Sequence, residues 1–241
     1  MSPRFPSGQI WRLALRGALI CGLAVTLLSC AWLERTERER VFRPTPGRPA
    51  DFKGLRQGDL AYNVEVPGEV TGSVDLLHIW WMPNPDPKAP TLLYLHGTFR
   101  NLYRNLPKIE SLRSAGFAVI AVDYRGWGES TPILPSEASI YADAHSAWIE
   151  LVRRQADPGK RVIYGHSMGT GVAVDLASKL RGGADYGGLI LEAGFPRLPD
   201  VAQANGGVGT IAPWVAAPGF DSRSEIGQID GAVLMMHRAA A

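Results

Sequence analysis

A chain of 241 residues holds one sizeable α/β domain with an appendage, but not comfortably two domains. Its 46% hydrophobic and 20% charged residues are those of a globular protein, not of a disordered or fibrous one. The net charge of +2 comes from scattered Lys and Arg with no basic stripe, so nucleic acid is not expected as a partner.

Both cysteines, Cys21 and Cys30, lie in one N-terminal apolar stretch. The body therefore has no thiol for a disulfide or a cysteine-ligated metal. Its five histidines form no close ligand pair, and neither metal nor cofactor is expected.

In chain order, Arg4, Arg12 and Arg16 precede an uncharged run from Gly17 to Leu33, and dense charge resumes at Glu34. A basic region followed by an apolar core is the mark of an export signal. As a helix the run would reach about 25 Å, the short limit of a membrane span. Leu27-Leu28-Ser29-Cys30 is similar to a bacterial lipoprotein box, in which Cys30 would take lipid; an uncleaved signal anchor is the alternative. Either places the domain outside the cytoplasm, tethered to the membrane. The expected organisation is a signal or anchor over 1–33, a Pro-containing linker over 34–53 and a folded domain over 54–241.

Leu60–Val66 and Val74–Met82 read as strands around a Pro67-Gly68 turn. Thr91–Leu95, Ala118–Val122, Arg161–Tyr164, Gly188–Leu191 and Ala232–Met236 are short apolar runs without alternation, as in strands buried on both faces. Ile140, Ala144, Trp148 and Leu151 follow a helical repeat, as do Val172, Leu176 and Leu180. Alternating strands and helices predict a mostly parallel central sheet with helices on both faces. Ligands of such sheets bind at the carboxyl ends of the strands.

Gly165-His166-Ser167-Met168-Gly169 follows one of these strands and opens a helix. The turn is tight enough that side chains at the two glycines would crowd it, and it leaves the Ser167 hydroxyl exposed as a nucleophile. The helix N-terminus then offers the Met168 N–H to a developing oxyanion. Leu95-His96-Gly97-Thr98 ends another strand, and its loop can turn the Thr98 N–H to the same point. His96 is expected to shape that loop and not to act as a base. A third segment, Asp123-Tyr124-Arg125-Gly126-Trp127-Gly128-Glu129-Ser130, also follows a strand.

Together these three segments resemble the α/β-hydrolase superfamily, in particular its serine-aminopeptidase-like and membrane-associated branches. The resemblance covers roughly residues 60 to 237. It implies the α/β-hydrolase fold, a serine hydrolase acting on an ester, thioester or amide carbonyl, and a structural Asp123. It also implies an acid and then a histidine base beyond the serine. Here the strand ending at Met236 is followed by His237-Arg238-Ala239-Ala240-Ala241, where the family pattern continues His-Gly-x-x-Asp with a further strand, histidine and helix. The expectation is thus a fold without its last strand and helix, and a serine without its usual Asp and His. A catalytically impaired fragment or a non-catalytic binding protein is the competing reading. Glu192 and Asp200 are the remaining candidate acids and His237 the remaining candidate base, whereas His78 and His145 read as structural. Leu198, Val201, Ile211, Trp214, Val215 and Phe220 form an apolar segment suited to covering an acyl substrate.

Overall fold

The short apolar runs become the inner strands of one sheet. The computed structural model describes residues 29, 32–36, 38–98, 100–194 and 222–237. Its strands are β1 (Leu60–Pro67), β2 (Val74–Met82), β3 (Thr91–Leu95), β4 (Ala118–Asp123), β5 (Arg161–His166), β6 (Gly188–Glu192) and β7 (Val233–Met236). They lie in the order β1-β2-β4-β3-β5-β6-β7. β1 and β2 are antiparallel, β2 runs antiparallel to β4, and the rest are parallel. All residues of β3 and β4 are buried, which explains why neither alternates.

Helices α1 (Leu102–Ser114), α2 (Glu137–Arg154) and α3 (Met168–Ser178) connect the strands, and a short α4 (Ser222–Glu225) precedes β7. On one face Ile140, Ala144, Trp148 and Leu151 of α2 pack with Val172 and Leu176 of α3. On the other, Leu102, Tyr103 and Ile109 of α1 cover Leu92, Tyr94 and Val119. The α2 start carries a reciprocal capping box between Ser136 and Ser139, and Arg153 and Arg154 occupy its last turn, where cations suit the helix dipole. No expectation was attached to 102–114. Pro107 interrupts the pattern there, yet the helix forms, with Asn101 accepting from the Arg104 N–H as its N-cap.

The N-terminal segment is bound to the body. Residues 32–36 and 38–42 are helical, and Phe42 is buried. Gly47 donates to the Gly128 carbonyl at 2.6 Å and Gly128 donates back to Thr45 at 3.0 Å. The Asn101 amide donates to the carbonyls of Thr45 and Gly47 at 3.2 and 3.0 Å. Phe52 stacks on Trp80 and meets Tyr103 edge-on. Residues 42–52, part of the expected Pro-containing linker, thus form a strap across the loops that follow β3 and β4.

The lipid-attachment expectation for Cys30, nearly all of the run from Gly17 to Leu33, the covering segment from Leu198 to Phe220 and Asp200 lie outside the described residues. Among the described residues no helix is long and apolar enough to cross a membrane.

Candidate active site

Ser167 stands between the last residue of β5 and the first of α3, with φ 54° and ψ −122°. A positive φ is costly for a residue with a Cβ, on the order of 1–3 kcal/mol, and persists only where its surroundings enforce it. The enforcement comes from both ends of the residue. The Ser167 N–H donates to the Glu192 carbonyl at 3.0 Å. Its own carbonyl accepts from the Thr170 N–H at 2.9 Å and from the Thr170 hydroxyl at 2.7 Å. The hydroxyl of Ser167 makes no capping bond with α3 and so is not consumed by the fold.

The flanking glycines are required by space. A Cβ on Gly165 would lie 2.3 Å from the Gly169 carbonyl oxygen, and one on Gly169 would lie 2.1 Å from that of Leu95. The backbones of β3, β5 and α3 therefore meet without room for a methyl group. Gly97, in the loop after β3, crosses the serine itself: a Cβ there would sit 2.9 Å from Ser167 Cβ and 3.3 Å from its Oγ. Thr98 follows and is half-buried. The Met168 side chain is buried, while its N–H opens the first turn of α3, where helical N–H groups lack an intrahelical acceptor.

Beneath this loop lies a buried polar pair. His96 Nδ1 is 2.6 Å from the Gly97 carbonyl, so Nδ1 carries the proton. The ring packs on Tyr124 and Trp127. His96 Nε2, which carries no proton, lies 3.5 Å from Asp123 Oδ1, and that oxygen accepts from the Leu102 N–H at 2.8 Å. Burial pulls His96 down to about 4 and pushes Asp123 up to about 8. Both directions favour the neutral forms, so this contact is not an ion pair at neutral pH, despite its distance. Through the Leu102 N–H, Asp123 anchors the far end of the loop that carries Gly97 and Thr98.

His78 is held between Asn63 Oδ1 at 2.8 Å and the Trp80 indole N–H at 3.1 Å, and His145 is exposed on α2. His237 follows the carboxyl end of β7. Glu192 ends β6 beside His166. Its carboxylate takes Lys108 of α1 at 2.5 Å and the Tyr164 hydroxyl. Burial lowers the His166 pKa, and the charges of Lys108 and Arg100 lower it further. Sequence reasoning did not foresee that Glu192 would hold the elbow through its backbone. The available signal was that Glu192, like Asp123, ends an apolar run. Among the described residues no group of three or more His, Cys, Asp or Glu could hold a metal ion.

A mostly parallel sheet whose strand–helix elbow holds a serine at positive φ, crossed by a glycine loop from the neighbouring strand, defines an α/β-hydrolase. The chain belongs to the serine aminopeptidase S33 family (Hydrolase_4), whose profile matches residues 86–221. An α/β hydrolase from Vibrio vulnificus shares the fold, with a TM-score of 0.66 and 23% identity over 84% of this chain and 75% of that one. The lysophosphatidylserine lipase ABHD12 of Danio rerio is 33% identical over 129 residues, 52% of this chain and 33% of that protein. Protein bem46 of Schizosaccharomyces pombe is 28% identical over 187 residues, 76% of this chain and 61% of that protein. The chain thus spans about a third of the length of the ABHD12 relative.

Proposed function

We propose that the protein is a membrane-tethered serine hydrolase in which Ser167 Oγ attacks an ester, thioester or amide carbonyl. The N–H groups of Thr98 and Met168 receive the oxyanion that forms. The observation that carries this reading is the strained Ser167, its hydroxyl uncapped and facing the Gly97 loop. Strain of this kind stabilises nothing in the fold and suits a presented nucleophile. The likeness to a lysophosphatidylserine lipase makes the acyl ester of a lysophospholipid the first substrate to test. The apolar residues between Leu198 and Phe220 suit an acyl chain. The uncharged run Gly17–Leu33 behind three arginines supports a tether, by lipid on Cys30 or by a signal anchor, with the domain on the extracytoplasmic side.

A second reading, a weakly active or purely binding protein on the same fold, is favoured by one observation. His78 and His96 are both buried and bonded within the body, and Glu192 is paired with Lys108 and Tyr164. A serine without its base loses on the order of a million-fold in turnover, although an oxyanion hole alone retains roughly a thousand-fold over water. A fluorophosphonate probe separates the readings. Labelling of the wild type that vanishes in Ser167→Ala supports the hydrolase. Folded wild-type protein that stays unlabelled after hours rejects it in favour of the binding protein.

A further inference from the structure

Exposed apolar side chains gather at the edge of the sheet that carries Ser167. Leu95 pairs with Val122 on one side and with Gly165 on the other, so Asp123 and His166 end their strands at the same level. His78 of β2 stands opposite Asp123. Val74 lies four residues before His78, so the β1–β2 turn projects roughly 13 Å beyond that level. It presents Val70, Val74 and Leu76, which are 73%, 60% and 41% exposed.

This tip is firmly held. Gly68 donates to the Ser73 carbonyl and Ser73 to that of Val70, both at 2.9 Å. The buried Arg125 donates to the Pro67 carbonyl at 3.0 Å and to Asp75 at 2.9 Å, while Asp143 fixes its Nε at 2.8 Å. Leu76 exchanges bonds with Thr131, from its N–H to the hydroxyl at 2.8 Å and from the Thr131 N–H to its carbonyl at 2.9 Å. A buried guanidinium thus braces a turn that exposes Val70 and Val74 among polar neighbours.

The N-terminal helical turns reach the same edge. Arg38 donates to the carbonyls of Pro135 at 2.9 Å and Leu134 at 2.5 Å, just ahead of the α2 N-cap Ser136. Trp32 and Leu33, which close the uncharged run, are 67% and 41% exposed. Leu33 stands only five positions before Arg38, and five residues reach at most roughly 18 Å. A tether through that run therefore holds this edge, and not the opposite one, next to the lipid.

We propose that the sheet edge bearing Ser167 faces the bilayer, with the β1–β2 tip docked through Val70 and Val74 on a zwitterionic lipid surface. A lipid substrate then enters from the membrane plane. Glu69, exposed beside Val70, disfavours an anionic surface. This inference rests on the tethering part of the proposed function and is independent of whether Ser167 is active.

The test is photolabelling of the full chain in phosphatidylcholine vesicles doped with a diazirine-acyl phosphatidylcholine, followed by peptide mapping. The expected result is adducts on residues 67–76 and none on 155–160, at the opposite edge. Val70→Asp with Val74→Asp should reduce the 67–76 adducts at least fivefold while those on 17–33 persist. Both valines are exposed, and circular dichroism checks that the variant folds. Adducts on 17–33 with none on 67–76 overturn the docking surface while leaving the tether intact. Absence of adducts from both segments overturns the tether and the docking surface together. Crosslinks from 67–76 to a second protein chain in place of lipid also overturn it. Fluorophosphonate labelling of the same preparation reports separately on Ser167.

Discussion

Gly97 and Gly169 crowd the elbow from two sides, and substituting them separates chemistry from stability. A Cβ on Gly169 meets the Leu95 carbonyl at 2.1 Å, and rigid backbone on both sides must move. Gly169→Ala should destabilise the domain by about 3 kcal/mol, at the upper end for overpacking, as read from the urea midpoint. A Cβ on Gly97 meets the Ser167 Cβ at 2.9 Å and the His166 carbonyl oxygen at a looser 3.2 Å. Gly97→Ala should shift the midpoint less than Gly169→Ala and slow fluorophosphonate labelling by about tenfold or more, because the methyl group occupies the approach to Oγ. Equal midpoint losses would contradict that distinction. Asp123 and His96 give a pH signature. Folded Asp123 titrates at about 8, far above an ordinary carboxylate, so it keeps a proton that the unfolded chain releases. Its contribution therefore falls as pH rises from about 4 towards 8. Folded His96 titrates at about 4 against an ordinary 6.5, so its contribution rises with pH and is complete above 6.5. Between pH 6.5 and 8 only Asp123 of the pair acts. Asp123→Asn, which keeps an acceptor for the Leu102 N–H, should flatten the decline of stability over that window. The difference in slope is at most about 1.4 kcal/mol per pH unit. An unchanged slope in the variant would show that Asp123 is charged throughout.

Among the elements, α1 and the strap are coupled through one side chain. Asn101 is buried, caps α1 with its carbonyl oxygen and donates to Thr45 and Gly47 with its amide. Asn101→Ala should cost about 2 kcal/mol, combining a lost cap with carbonyls left unpaired. Faster amide exchange at Gly47 should accompany the loss, and unchanged exchange there would mean that the strap is held without Asn101. Neither element was legible in the sequence. The α1 repeat contains Pro107, and the strap's bonds come from Gly128 and Asn101, far along the chain, so no local periodicity marks them. β3, β4, β5 and α2 were legible because burial on both faces, or on one helical face, writes itself directly into residue spacing.

At the scale of the sheet, β7 is its outermost strand among the described residues, with Val233, Leu234, Met235 and Met236 between 38% and 62% exposed. An apolar edge strand invites pairing with another chain. Leu234→Lys should lower concentration-dependent light scattering several-fold and change the urea midpoint by less than about 0.5 kcal/mol, since the side chain is already in solvent. Undiminished scattering would place self-association elsewhere. The sequence by itself determined the parallel sheet and the elbow at Ser167, because both are local. An apolar run, two glycines and a helix start specify the turn within a few residues. Tertiary structure alone decided that Gly97 crosses the serine, that the Glu192 carbonyl holds its backbone, that His96 and Asp123 stand neutral together and that residues 42–52 bind across Gly128. Each of these joins residues distant in sequence, and only the packing of strands side by side brings their backbones within bonding distance.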